Sequence, residues 1–223
     1  MKTFKALAAL LAYPEAEIVA AAPEIEGALR EERLVSSGAL TSLQALFAQL
    51  RDDDLMELQE RYVSLFDRVR SLSLHLFEHV HGESRDRGQA MVDLRRLYAS
   101  HDLELATDEL PDYLPAFLEF LSSLPPAEAR AHLADTVHLL ESIGARLAKR
   151  GSAYAAVFQA LLEISGGSRE GVTVSDDEIR AEDDPAALDE AWREQPAFGP
   201  AAGCGAAVGG HTAPVKFYKG VAA

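Results

Sequence analysis

The chain has 223 residues, with 21 Lys or Arg against 36 Asp or Glu, which gives a formal net charge of -15 at pH 7. This excess of acids argues against a nucleic-acid-binding protein, because contacts to phosphates need a basic surface. The single cysteine, Cys204, cannot form an internal disulfide, and no segment approaches the roughly 20 apolar residues that span a membrane. We therefore expect a cytoplasmic protein without stable membrane insertion.

The first residues of the chain allow two interpretations. The sequence after Lys2 superficially resembles a short signal peptide, with a positive start and a run of alanines and leucines. This apolar run extends only from Ala6 to Tyr13, however, and continues through Pro14 into a further helical pattern. The segment is interpreted as a first amphipathic helix.

Helical spacing of apolar residues continues from Lys2 to Ile164, and no comparable run alternates with period two. The clearest stripe fits one helix of about 3.6 residues per turn and consists of Tyr62, Leu65, Phe66, Val69, Leu72, Leu76, Phe77 and Val80. The pattern predicts an all-α fold, a single helical-bundle-like domain.

Local chemistry predicts where the later helices begin and end. Gly82 ends the stripe, and Ser84 or Asp86 caps the next helix, whose apolar side is Met91, Leu94, Leu97 and Tyr98. Thr107 or Asp108 precedes a helix with Pro111 in its first turn and with Leu114, Phe117, Leu118 and Leu121 on its apolar side. The Pro125-Pro126 pair ends that helix, another runs from about 127 to 149, and a last one follows Gly151 from 152 to 164.

The composition changes after Ser165. Nine of the fifteen glycines fall between Gly166 and Gly220, beside a cluster of acids from Asp176 to Asp184. Such a segment cannot bury enough apolar surface to offset its ordering entropy. We predict a helical domain at 1-165 and a flexible tail at 166-223, in which Trp192 marks a possible short docking helix near 186-193.

A dense group of imidazoles lies in the middle of the chain. His75, Glu78 and His79 match the H-x-x-E-H pattern, in which two histidines bind zinc and the acid acts as base, so a zinc-dependent metallopeptidase is one alternative. The other alternative is that these residues flank a core helix or contact a partner. No third ligand, P-loop, nucleophile elbow or dinucleotide fingerprint is evident. The expectation is therefore a protein that is not an enzyme and carries no cofactor.

Three segments carry a family resemblance: Tyr62 to Phe66, His75 to Leu94, and Glu109 to Tyr113. In these segments the chain resembles the nitrate reductase molybdenum cofactor assembly chaperones, the nitrate reductase delta subunits, within the wider TorD/DmsD-like group of redox-enzyme maturation chaperones. The resemblance covers roughly residues 4 to 164. The wider group usually has His where this chain has Tyr113.

The resemblance implies a cytoplasmic, all-helical, TorD-like chaperone. Such a protein binds the N-terminal segment of the apo catalytic (alpha) subunit of respiratory nitrate reductase. It keeps that subunit competent for molybdenum cofactor insertion and membrane assembly, and it is not part of the final enzyme. Molybdenum cofactor biosynthesis factors are candidate further partners.

The predicted client-peptide site combines two polar elements, namely His75, His79, His81, Glu83, Arg85, Asp86 and Arg87 in the first and Glu109, Asp112 and Tyr113 in the second. An apolar groove beside them would take an amphipathic helical peptide, and the acidic surface would favour a basic one. The alternative is structural: the charges of the first element would pair with one another, and the acids of the second would only stabilise a helix start.

Overall fold

A computed structural model describes residues 1–81, 85–105, 109–167, 172–184 and 186. Within these residues the chain forms eleven α-helices, with bounds α1 Lys2–Leu11, α2 Ala16–Glu32, α3 Ser37–Asp52, α4 Leu55–Tyr62, α5 Leu76–His81, α6 Arg85–Ser100, α7 Leu114–Ser123, α8 Pro126–Asp135, α9 Val137–Lys149, α10 Ala155–Ser165 and α11 Asp176–Asp183. The predicted all-α fold is confirmed. None of the helices in this described part is both long and apolar enough to cross a membrane.

Helices α1 and α10 form the centre of the core. Helix α1 packs against α2, α7 and α10, and α10 packs against α3, α8 and α9 as well. The sequence of α10, AAVFQALLEIS, is apolar on nearly every side, which is typical of a helix surrounded by others. Phe4, Leu7 and Phe158 are fully buried at this centre.

Polar contacts fix several helix ends. The Ser36 hydroxyl accepts a hydrogen bond from the Ala39 amide at the start of α3, at 3.2 Å, and it donates to Glu163 of α10 at 2.9 Å. At the end of α10, Gly166 adopts a left-handed φ of 80°, and the Gly167 amide donates to the Leu162 carbonyl at 2.9 Å. The start of α3 is thereby joined to α10, and the end of α10 is closed by its own backbone.

The prediction of one continuous helix through the stripe from Tyr62 to Val80 is wrong. Helix α4 ends at Tyr62, a π-helical turn follows at Val63–Asp67, a 3₁₀ turn occupies Arg70–Leu72, and α5 begins only at Leu76. The sequence from 71 to 76, SLSLHL, does alternate with period two. Its leucines, Leu72, Leu74 and Leu76, are all buried although the chain leaves the helix between the 3₁₀ turn and α5, so burial of this apolar pattern does not require a continuous helix.

Three predicted helix boundaries also need correction. The helix from 127 to 149 is two helices, because the chain breaks at Thr136, whose hydroxyl donates to the Leu133 carbonyl at 2.8 Å. Pro111 lies in a turn before α7, and it is Pro115 that occupies the first turn of that helix. Asp86 does not cap α6, which already begins one residue earlier. The other proposed capping residues lie outside the described residues: Gly82, Ser84, Thr107 and Asp108.

Helix α11 lies within the segment that the sequence assigns to the tail. It pairs with α9 through charged side chains, and none of its own residues is buried. Trp192 and nearly all of the docking helix predicted near 186–193 lie outside the described residues. The division into a domain at 1–165 and a tail at 166–223 stays a prediction.

Candidate functional site

An isolated antiparallel bridge joins the two polar elements that the sequence singles out. His75 pairs with Tyr113: the Leu76 amide donates to the Asp112 carbonyl at 3.0 Å, and the Leu114 amide donates to the Leu74 carbonyl at 2.8 Å. The bridge places the start of α5 directly beside the start of α7. Residues 35 to 40 positions apart in the sequence therefore form one surface.

Asp112 is the buried centre of this junction. Its side chain is inaccessible to solvent, and Oδ2 accepts a hydrogen bond from the amide of Phe77, the second residue of α5, at 3.0 Å. With its own carbonyl accepting from Leu76, Asp112 satisfies two amides that the helix start leaves without partners. Asp112 therefore caps α5. The structural alternative considered from the sequence was that it would stabilise the start of the helix that follows it, α7.

His75 completes the capping arrangement. Its Nδ1 lies 3.4 Å from Oδ1 of Asp112. The hydrogen bond to Asp112 raises the pKa of His75, against the opposing effect of its partial burial. The imidazolium form of His75 is thereby favoured beside the buried Asp112 side chain, and this pairing strengthens as the pH falls.

Tyr113 connects this junction to the core. Its hydroxyl lies 2.9 Å from that of Tyr62, which donates its own proton to the Leu11 carbonyl at 2.9 Å. Since Tyr62 has one proton, Tyr113 must be the donor between the two hydroxyls. Burial raises the pKa of both phenols, so both stay neutral. The ring of His75 lies against that of Tyr113 with centroids 5.4 Å apart.

The remaining polar side chains of α5 also contact neighbouring groups. Nε2 of His79 lies 2.8 Å from the Ser73 carbonyl, and because a carbonyl only accepts, this nitrogen carries the proton. Glu78 pairs with Arg87 of α6 at 3.2 Å. The ring of His81 meets that of Phe77 edge to face.

This geometry does not favour the zinc-peptidase alternative. His75 precedes α5 and faces Asp112, whereas His79 directs a protonated nitrogen at a carbonyl, so the two imidazoles do not converge as helical H-x-x-E-H ligands would. Nowhere in the described part of the chain do three His, Cys, Asp or Glu side chains cluster as a metal site requires.

Two of the other predicted site residues are exposed to solvent. Asp86, in the first turn of α6, is exposed, and so is Glu109. Arg85 begins α6, but its side chain and the whole of Glu83 lie outside the described residues. The sequence-based site omitted Ser73, which is buried and whose hydroxyl accepts from the His75 amide at 3.2 Å. The sequence signal that could have indicated Ser73 was the alternation of SLSLHL with period two.

The sequence comparisons cover this whole surface. The family model described as nitrate reductase delta subunit matches residues 34–160, which include α5, α6 and the turn before α7. The chain belongs to the nitrate reductase delta subunit family. The membership predicted from the three segments is thus confirmed.

Several nitrate reductase assembly chaperones are similar to this chain over most of its length. The nitrate reductase molybdenum cofactor assembly chaperone NarJ of Escherichia coli K12 is 42% identical over 200 residues, 88% of this chain and 84% of that protein. The probable chaperone of the same description, NarW, also from Escherichia coli K12, is 45% identical over 143 residues, 63% of this chain and 62% of that protein. The probable NarJ of Bacillus subtilis is 29% identical over 160 residues, 72% of this chain and 86% of that protein.

Proposed function

We propose that this delta subunit family member is a cytoplasmic maturation chaperone for respiratory nitrate reductase. It binds the N-terminal segment of the apo catalytic (alpha) subunit and keeps it competent for molybdenum cofactor insertion and membrane assembly. The observation that carries the proposal is the 42% identity to Escherichia coli NarJ, a nitrate reductase molybdenum cofactor assembly chaperone, across most of both chains. The cofactor is destined for the client, and its biosynthesis factors are the further partners proposed.

We further propose that the client segment binds the surface formed by α5, the first half of α6 and residues 109–113. Five large apolar side chains are strongly exposed among the described residues, and three of them, Val80, Val92 and Leu110, lie in these elements. Such side chains, surrounded by charged residues, suit the apolar face of an amphipathic helix. The junction of Asp112 with His75 would hold this surface rigid.

The acidic character of the chain supports a basic client segment. The net charge is -15, and Asp86 and Glu109 stand exposed at the edges of the proposed surface. Charges of this kind mainly increase the association rate and the selectivity, and salt weakens their effect. Apolar contact would supply most of the remaining binding free energy.

Calorimetry with a synthetic N-terminal peptide of the catalytic subunit tests the proposal. Binding should have a negative heat-capacity change, because apolar surface is buried, and an affinity that falls as salt is added. Val80→Asp and Leu110→Asp should each weaken binding at least about tenfold, the equivalent of roughly 1.4 kcal/mol. Met56→Asp is the matched control, since Met56 is 74% exposed on α4 and outside the proposed surface.

Two results would contradict the proposal at different levels. Equal weakening by Met56→Asp and Val80→Asp would mean that the client binds elsewhere. A peptide that does not bind the unaltered chain at all would remove the client assignment. In cells, loss of the chain should leave a nitrate reductase that is low in molybdenum cofactor, and full cofactor content without it would refute the chaperone role.

The arginines at the start of α6 provide a separate test. Arg87 makes one partly exposed ion pair with Glu78, so Arg85→Ala with Arg87→Ala should change the free energy of unfolding by no more than about 1 kcal/mol. Cells with this double variant should nevertheless accumulate cofactor-poor nitrate reductase. A large loss of thermal stability would instead assign these arginines to the framework of the domain.

A further inference from the structure

Helix α11 is attached to the domain although none of its side chains is fully buried. Five of its eight residues are acidic, in the sequence DDEIRAED, and none of the eight is buried. Its first turn is stabilised locally by a capping box between Ser175 and Glu178. Apolar burial, which normally dominates the docking of a helix, therefore contributes little to the position of α11.

Ion pairs to the last turns of α9 hold the helix instead. Glu182 lies between two guanidinium groups, with Oε1 at 3.0 Å from Nε of Arg146 and Oε2 at 2.8 Å from Nη2 of Arg150. Asp183 adds a contact to Arg150 at 2.9 Å, and Asp176 binds Nζ of Lys149 at 2.8 Å. Burial alone would raise the pKa of Glu182, but hydrogen bonds from Arg150, Arg146 and Ser71, together with the charge of Arg146, outweigh it and lower the pKa.

Arg150 is the buried centre of this basic surface. Its side chain is only 8% exposed, against 38% for Lys149, and Nη1 is buried without a hydrogen-bond partner among the described residues. A guanidinium has five donors, and a buried donor without an acceptor lowers stability. The site thus has donor capacity that α11 does not fill.

The dipole of α9 explains only part of this basic cluster. Cations near a helix C-terminus are favourable because they face the negative end of the helix dipole, and this accounts for basic residues in the last turn of α9. It does not account for Arg146 and Arg150 converging on one carboxylate, or for the burial of Arg150 in a chain with a net charge of -15.

We propose that the surface formed by Arg146 and Lys149 of α9 and by Arg150, the residue that follows this helix, is a docking surface for an acidic helical segment of a partner protein. Helix α11 is its intramolecular occupant, a detachable latch that an acidic partner segment displaces. The partner segment would present two adjacent acids to the arginines and a further acid about two turns earlier, as Glu182, Asp183 and Asp176 do here. None of its residues belongs to the surface proposed for the client peptide.

A labelled peptide that copies residues 175–184 is the probe for direct binding. The full chain with Glu182→Gln and Asp183→Asn, which opens the latch, should bind this peptide at least about tenfold more tightly than the unaltered chain, because the competing intramolecular segment is weakened. Arg180→Gln is the matched control: Arg180 is on α11 but 81% exposed and not paired with α9, so this variant should bind like the unaltered chain.

Charge specificity is tested with two further reagents. Adding Lys149→Gln to the latch-opened variant should reduce peptide affinity, and Lys149 is exposed enough that the fold should survive. A peptide in which every acid is replaced by its amide should not bind. Failure of the acidic peptide to bind the latch-opened chain, or equal binding of the amide peptide, would overturn the proposal.

Hydrogen exchange on the unaltered full chain tests the latch itself. Raising NaCl to about 0.5 M should accelerate amide exchange in residues 176–183, since salt screens the ion pairs of the exposed acids Asp176 and Asp183, while α9 and α10 stay protected. Exchange in α11 that does not respond to salt would show that something other than charge holds the helix, and the detachable latch would have to be abandoned.

Discussion

Replacing Asp112 with alanine should destabilise the domain by about 2.5–4 kcal/mol. The magnitude follows from two contacts of this fully buried side chain. Loss of the acceptor for the Phe77 amide removes the cap of α5, at a cost of roughly 1 kcal/mol. Loss of the partner of His75 removes a charge-assisted hydrogen bond, which contributes about 1.5–3 kcal/mol.

Asp112→Asn separates these two contributions. The amide oxygen can still accept from Phe77, so the cap is retained and only the charge facing His75 is lost. The asparagine variant should therefore be clearly more stable than the alanine variant. It should also lower the pKa of His75 towards its ordinary value of 6.5, which NMR titration of the imidazole protons measures directly.

The pH dependence of this difference has a defined sign. The pKa of His75 is raised in the folded protein, so its stabilising contribution is fully present below about 6.5 and is lost as the pH rises through the folded pKa. The stability gap between the unaltered chain and Asp112→Asn should accordingly be larger at pH 6 than at pH 8. Urea unfolding at both pH values provides the measurement.

The control is Asp135→Asn, the same chemical change at an exposed position, which should alter the free energy of unfolding by no more than about 0.5 kcal/mol. The reasoning fails if Asp112→Ala unfolds at the same urea concentration as the control. It also fails if the His75 titration is unchanged in Asp112→Asn.

Tyr62→Phe should lower the free energy of unfolding by about 1–2 kcal/mol in urea titrations, and Tyr113→Phe should lower it by less. Only Tyr62→Phe removes the hydrogen bond to the Leu11 carbonyl, and it also leaves the Tyr113 hydroxyl without its acceptor. Equal effects would refute the donor order assigned to this pair. Gly167→Ala should lower the melting temperature, since the added Cβ would lie 2.8 Å from Cγ1 of Val137, and Val137→Ala should relieve the clash. Gly88→Ala, within α6 and with nothing within 4 Å of the added carbon, should instead be neutral or stabilising.

The all-α fold and the outer limits of several helices were predictable from the sequence. Apolar spacing by three and four needs only the local geometry of a helix, and Pro125, Pro126 and Gly151 act on their own backbone. The predicted break at Gly151 lies where the structure has a left-handed φ of 68°, between α9 and α10. Family membership was also predictable from the sequence, because it depends on the order of the residues along the chain and not on contacts between distant residues.

The tertiary structure alone decided how the stripe from Tyr62 to Val80 is divided and what Asp112 does. Leu72 and Leu76 fit a helical repeat and also, with Leu74, an extended one, so the local pattern left both paths open. The choice was made by the bridge between His75 and Tyr113, whose hydrogen bonds come from a segment more than 30 residues away. A local sequence pattern cannot predict such a contact. Capping by Asp112 depends on the packing of α5 beside α7, and not on the residues next to Asp112 in the sequence.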